Sequence, residues 1–268
     1  AHWGPVYSLT FSRDGTVFAS GGGEIDNKIR IWNPRTGRRR RTIRAHRIRI
    51  MGLAFTPDGR NLASGSDDTT INFWNLRNGQ LTRSFVDPVS NVLSLAITPD
   101  GQTLISGGIE GIRLWEVNTQ RLLYTLAPLA QPIVYSVAVS PTQPLMASGG
   151  RNGVISLINN AQLIGTIGGH RGAISSLAFS PDGESLVSGS YDHTVKVWNL
   201  GTRNSFTLSG HNNVVNAVAV NPDGRTLASA GRDGVKLWDL RTGLQIGSIP
   251  GFTDWVQSVA FSPDGQLL

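Results

Sequence analysis

The chain contains no cysteine and only two methionines in 268 residues. Disulfide staples and thiolate metal sites are therefore excluded, while the compartment stays open, with cytoplasmic as the default. No apolar run reaches the 18 or so residues a membrane helix needs, and the N-terminal residues do not read as a signal peptide. Helical patterning is also missing. No dozen residues keep apolar positions at i, i+3, i+4 and i+7 without a Gly or Pro among them. The sequence carries no H-E-x-x-H pair, no calcium loop, no G-x-S-x-G elbow and no Walker-type loop, so neither a cofactor nor a metal is expected.

What the chain does have is a repeat. Asp-Gly turns recur at 14, 58, 100, 182, 223 and 264, with gaps of 44, 42, 82, 41 and 41 residues. The gap of 82 is two periods, and the missing copy falls at Pro141-Thr142. Each period holds four short runs of β-branched and small residues. In one copy they read AISSLAFS, SLVSGS, TVKVWNL and SFTLSG, separated by Gly, Asp and Asn turn chemistry. Four antiparallel strands per unit, repeated about every 41 residues, predict an all-β fold of the β-propeller type, because one four-stranded sheet buries both faces only between neighbours. Six complete blades are expected from Val6 to about Ile249, and WVQSVAFSPDGQLL starts a seventh. No linker interrupts the turns, so residues 1–268 read as a single domain, truncated at its C-terminal end.

A second pattern lies inside the repeat. The spacing H-x(17)-S-x(3)-D-x(5)-W fits His46, Ser64, Asp68 and Trp74, and again His170, Ser188, Asp192 and Trp198. With one residue fewer before the Trp it fits His211, Ser229, Asp233 and Trp238. A displaced copy has His2, Ser20, Asp26 and Trp32. This resembles the WD-repeat family over the whole chain, and the near-consensus copies resemble bacterial arrays, which often accompany kinase or nucleotide-hydrolysing domains. The resemblance implies a seven-bladed ring in the full-length protein. It also implies a hydrogen-bonded relay in each blade, in which the Asp accepts from the His, the Ser bridges and the Trp indole donates. Two copies depart from the pattern. The third lacks the His and has Glu110 before Trp115, and the fourth has Asn152 and Ile158 for Asp and Trp. These blades are expected to be the less rigid ones.

The relay absorbs most of the reactive side chains. Four of five histidines sit at its first position, and eleven of 18 acids lie in Asp-Gly turns or at the relay carboxylate. An enzyme is therefore not expected, although propellers also host hydrolases and quinone-dependent dehydrogenases. The favoured reading is a non-catalytic scaffold that displays one face to a partner protein or peptide. From the family resemblance, that face comprises residues flanking the start of each first strand (Tyr7, Arg49, Met51, Leu93, Tyr135, Asn216, Trp255) and those preceding the relay acid (Asp67, Arg151, Tyr191, Arg232). Tyr, Trp, Arg and Met are enriched at interface centres.

Charge supplies the remaining alternative. Residues 35–49 hold eight arginines and no acid, so the rest of the chain, with 16 basic and 18 acidic residues, is slightly acidic. The patch of Arg38, Arg39, Arg40, Arg41, Arg44, Arg47 and Arg49 falls on an outer strand and the loop after it. Cations on a sheet edge discourage edge-to-edge association. They also suit an acidic protein or phosphate-bearing partner, and less readily nucleic acid or an anionic membrane.

Overall fold

The computed structural model describes residues 2–86, 91–126 and 133–268, and every regular element among them is a strand. The chain divides into two compact units, residues 1–134 and residues 135–266. The first unit carries three sheets. They are β1 (Val6–Phe11), β2 (Phe18–Gly22), β3 (Lys28–Trp32) and β4 (Arg39–Arg44); β5 (Ile50–Phe55), β6 (Asn61–Ser66), β7 (Thr70–Asn75) and β8 (Leu81–Val86); and β9 (Val92–Ile97), β10 (Thr103–Gly108), β11 (Gly111–Glu116) and β12 (Leu122–Leu126). The second unit carries β13 (Val134–Val139), β14 (Leu145–Gly150), β15 (Val154–Asn159) and β16 (Gln162–Gly168); β17 (Ile174–Phe179), β18 (Ser185–Ser190), β19 (Thr194–Asn199) and β20 (Ser205–Ser209); and β21 (Val215–Val220), β22 (Thr226–Gly231), β23 (Gly234–Asp239) and β24 (Gln245–Ile249). Each sheet is an up-and-down meander in chain order. The four strand runs read from SLAFS to SFTLS coincide with β17 to β20.

Burial is greatest on the second and third strands and falls away on the fourth, where β4 and β16 are largely exposed. Sheets within a unit close on each other through apolar side chains. Ile29, Ile31 and Ile43 of the first sheet pack with Ile50, Leu53, Leu62 and Trp74 of the second. Each such fully buried chain stabilises by about 1.5–3 kcal/mol.

The S-G-G and S-G-S glycines at the ends of the second strands are a packing device. A Cβ on Gly21 would lie 2.7 Å from Ile50 Cγ2, one on Gly149 2.7 Å from Ile174, and one on Gly189 2.8 Å from Val215. These glycines form notches in the second strands, into which the first strand of the next sheet fits. Serine hydroxyls add a polar clasp across the same seams: Leu177 N–H donates to Ser136 Oγ at 2.9 Å, and Val218 N–H to Ser176 Oγ at 3.1 Å.

Residues 250–268 start the next repeat without forming a ladder. Val256 N–H reaches the Gly231 carbonyl at 3.2 Å, and Val256, Val259 and Phe261 pack on Ala217, Ala228, Ala230 and Val235.

Candidate interaction surfaces

Four relays form with one geometry. In the β17–β20 sheet, Trp198 Nε1–H donates to Ser188 Oγ at 2.8 Å, Ser188 Oγ meets His170 Nε2 at 2.7 Å, and His170 Nδ1 meets Asp192 at 2.9 Å. His46 with Ser64, Asp68 and Trp74 repeats this, as does His211 with Ser229, Asp233 and Trp238. Trp115 still donates to Ser106 at 2.9 Å in the sheet that lacks a relay His. Because the Ser oxygen already accepts the indole N–H, its own proton is free for His Nε2. That leaves the His neutral with its hydrogen on Nδ1, facing the carboxylate.

The electrostatics agree with this tautomer. Burial lowers His170 and His211, more strongly than their carboxylate partners raise them. Burial opposes ionisation of Asp192, but the Thr194 hydroxyl, Arg171 N–H and His170 outweigh it and hold the acid at about 2. A relay His with both nitrogens engaged is not available as a catalytic base.

The turn after the acid is tight. Thr69 and His193 occupy equivalent positions there with φ of 69° each, so His193, the one histidine outside the relays, is a turn residue in the left-handed region.

The expected face residues owe their positions to a repeated β-bulge. Register slips between Val6 and Ser8, Ile50 and Gly52, Val92 and Ser94, Ile174 and Ser176, and Val215 and Ala217. Tyr7, Met51, Leu93, Ser175 and Asn216 are the unpaired residues at these slips. A bulge re-aims its extra side chain away from the ladder, which puts four of the expected residues at display points and adds Ser175. Not all remain free. Asn216 Nδ2–H donates to the Val256 carbonyl at 3.2 Å, and Ser175 Oγ–H to the Gly189 carbonyl at 3.0 Å, so both tether neighbouring segments.

In the second unit, Tyr135 and Tyr191 stack with centroids 6.1 Å apart and planes at 13°, and Arg232 lies 5.8 Å over the Trp255 ring. Tyr191 is 48% exposed, Trp255 is 39% exposed, and Arg151 and Arg232 are exposed. In the first unit the expected set is partly locked. Asp67 is buried, contrary to a displayed role, because Arg49 Nε donates to it at 2.6 Å; Arg49 also stands 6.0 Å over the Tyr7 ring.

A family model described as WD domain, G-beta repeat matches residues 203–239 and 243–268, and one described as IFT122 first beta-propeller matches residues 5–204. The chain belongs to the WD-repeat β-propeller family. It is 33% identical to WD repeat-containing protein SL1-17 of Schistosoma mansoni over 73% of this chain and 50% of that protein. It is 28% identical to the guanine nucleotide-binding protein subunit beta of Oryza sativa subsp. japonica over 74% of this chain and 44% of the relative. A Periodic tryptophan protein 2 homolog of Neurospora crassa is 39% identical over 25% of this chain and 8% of its own length. The chain thus spans half or less of the curated relatives it matches.

The first blade departs from its fellow WD blades in a way the sequence did not signal. Its relay closes despite the two extra residues, with His2 3.0 Å from Asp26, 2.6 Å from Ser20, and Trp32 2.8 Å from the same Ser. Arg30 is buried with them and donates to Asp26; the third blade, which lacks the His, also buries an arginine at the equivalent position, Arg113, and the other equivalents are Asn72, Ser156, Lys196 and Lys236. Among the described residues, Arg30 Nε and Asp26 Oδ1 lack hydrogen-bond partners. In the fourth blade Asn152 caps its own turn by accepting Val154 N–H at 3.1 Å, and Ile158 fills the Trp position, fully buried.

The basic strand divides into two groups. Arg41 donates to the Asn78 and Arg77 carbonyls at 2.7 and 2.9 Å and so ties β4 to the second blade, and Arg49 is held by Asp67. Both are structural, not parts of an open patch. Arg38, Arg39, Arg40, Arg44 and Arg47 are exposed. Among the described residues no group of three or more His, Cys, Asp or Glu could hold a metal ion, and no helix is long and apolar enough to cross a membrane.

Proposed function

We propose that this chain is a non-catalytic scaffold whose second unit presents Tyr135, Arg151, Tyr191, Arg232 and Trp255 to a partner protein or a peptide segment of one. The observation that carries this reading is the pairing of half-exposed aromatics, Tyr191 on Tyr135 and Trp255 under Arg232, at the start of β13, in the turns after β18 and β22, and in the segment after β24. Stacked rings and a guanidinium offer large rigid area with few rotamers to freeze, which is the composition of interface centres. The relay histidines and acids are occupied with one another, which favours a framework over a reaction centre. The matching relatives carry names as different as transcription factor unc-37 of Caenorhabditis elegans and pre-mRNA-processing factor 19 of Oryza sativa subsp. japonica. A shared repeat beneath such names fits a frame whose specificity lies on its surface.

We treat residues 1–268 as one propeller domain, completed to seven blades in the full-length protein and of the bacterial array type that its near-consensus copies resemble. The open reading frame around this segment tests all three points. The partner reading is tested by titrating a captured partner against Tyr191→Ala and Trp255→Ala. Each is expected to weaken binding by about 2 kcal/mol with little salt dependence.

A further inference from the structure

A second surface, separate from the aromatic one, lies on the first unit. The fourth strand β4 ends its sheet, so the N–H and C=O groups on its outer edge have no strand partner. Arg39, Arg40 and Arg44 rise from that strand, preceded by Arg38 and followed by Arg47. Among the described residues no carboxylate lies within 4.0 Å of the guanidinium group of any of these five.

Arg44 also borders a cleft of about 590 Å³, whose other cations are Lys28 and Arg47 and whose floor includes Asn72 and Ser84. One carboxylate, Asp68, reaches the cleft. It already accepts from the Arg47 N–H at 3.0 Å, the Thr70 hydroxyl at 2.6 Å and His46 at 3.1 Å. Lys28 Nζ stands 3.8 Å from Asp26, which Arg30 engages from within the blade. The cleft thus gathers three cations around one acid whose hydrogen-bonding capacity is largely used.

From this placement we propose that β4 and the cleft beside it bind an extended, phosphorylated segment of a partner protein, whose backbone pairs with the strand edge and whose phosphate enters between Arg44, Arg47 and Lys28. Convergent guanidinium and ammonium groups suit a compact dianion better than a lone carboxylate. The open strand edge selects among polyanions, since only a peptide supplies backbone groups to pair with it. RNA would lack a stacking platform, because residues 35–49 contain no Phe, Tyr or Trp and the His46 ring is buried in its relay. A lipid surface would find Ile48 as the one exposed large apolar side chain in that segment, too little for an interfacial anchor.

The test is fluorescence anisotropy on the whole chain with a short labelled peptide bearing one phosphoserine among aspartate and valine residues. The phosphorylated peptide is expected to bind at least about tenfold more tightly than its unphosphorylated twin, and the affinity should fall with added salt. Arg44→Glu should cost about tenfold or more, whereas Arg13→Glu, the same charge change at another exposed arginine, should cost less than about twofold. A backbone N-methylated version of the peptide should lose most of the affinity, because it cannot donate to the strand edge. Tyr191→Ala should leave this binding unchanged, which separates the result from the fate of the aromatic surface. Urea midpoints of both arginine variants check that the fold persists, and Arg44→Ala and Arg47→Ala replace Arg44→Glu if its midpoint moves. Equal losses in the Arg44 and Arg13 variants, an N-methylated peptide that binds as well as its parent, or single-stranded RNA or phosphoinositide vesicles outcompeting the phosphopeptide would overturn the proposal.

Discussion

Replacing Asp192 with Ala removes four accepted hydrogen bonds at once: from His170 Nδ1 at 2.9 Å, Arg171 N–H at 2.9 Å, Thr194 N–H at 3.0 Å and Thr194 Oγ at 2.6 Å. The last three donors lie near solvent and can turn to water. The His170 side chain is fully buried, so its donor is stranded. One stranded buried donor costs about 1–3 kcal/mol and the replaced bonds a few tenths each, giving an expected loss near 3 kcal/mol. Asp182→Ala is the matched control. That acid accepts from the Ser180 hydroxyl and from Glu184 N–H at 2.9 Å in an exposed turn, and Ser180 still accepts Ser185 N–H at 2.9 Å after the change, so about 1 kcal/mol is expected. Urea unfolding followed by tryptophan fluorescence reads both. If the two variants shift the midpoint equally, the relay is not a buried anchor and the reasoning fails.

Stability should also depend on pH with a definite sign. Asp192 sits at about 2 in the fold against 3.8 ordinarily, so its contribution, about 2 kcal/mol, is complete above roughly pH 4 and is lost as the pH falls through 2. His170 and His211 are depressed by burial below 6.5, so the unfolded chain takes up protons first and stability already declines as the pH drops below about 6. Urea midpoints across pH 3–8 should therefore fall monotonically toward acid, and a maximum near pH 5 would contradict the neutral-His relay. Gly189→Ala, which sets a Cβ 2.8 Å from Val215 Cγ1, should destabilise by about 1–3 kcal/mol in the same assay, and a neutral result would refute the notch. Amide exchange should be faster over residues 257–262, which have no ladder, than over β21, and equal protection would place an unrecognised strand there.

The period and the relay were legible in sequence because both are spacings. A turn every 41 or so residues and a His, Ser, Asp and Trp at fixed offsets survive without coordinates, and the displaced copy at His2 still closed its relay. Other features depend on register and depth, which spacing does not encode. A bulge adds one unpaired residue to a strand that reads as regular alternation, so the sequence placed Tyr7, Met51 and Leu93 on the expected face through the family resemblance without showing the bulge that holds them there. Spacing does not show that the Ile50 and Val215 side chains of neighbouring sheets occupy the missing Cβ positions of Gly21 and Gly189. Asp67 and Arg41 read as surface charges, yet one is buried against Arg49 and the other ties two blades together. Arg30 gave no signal either, since an arginine two residues before the Trp is equally at home in solvent.

The central claim, a scaffold that works through its aromatic surface, is tested most directly by isothermal titration of a partner, purified after capture by the wild-type chain, against Tyr191→Ala, Trp255→Ala and Arg44→Glu. The account predicts that each aromatic substitution weakens this partner by about 2 kcal/mol while Arg44→Glu leaves it nearly unchanged. Full affinity in both aromatic variants, with loss confined to Arg44→Glu, would contradict it.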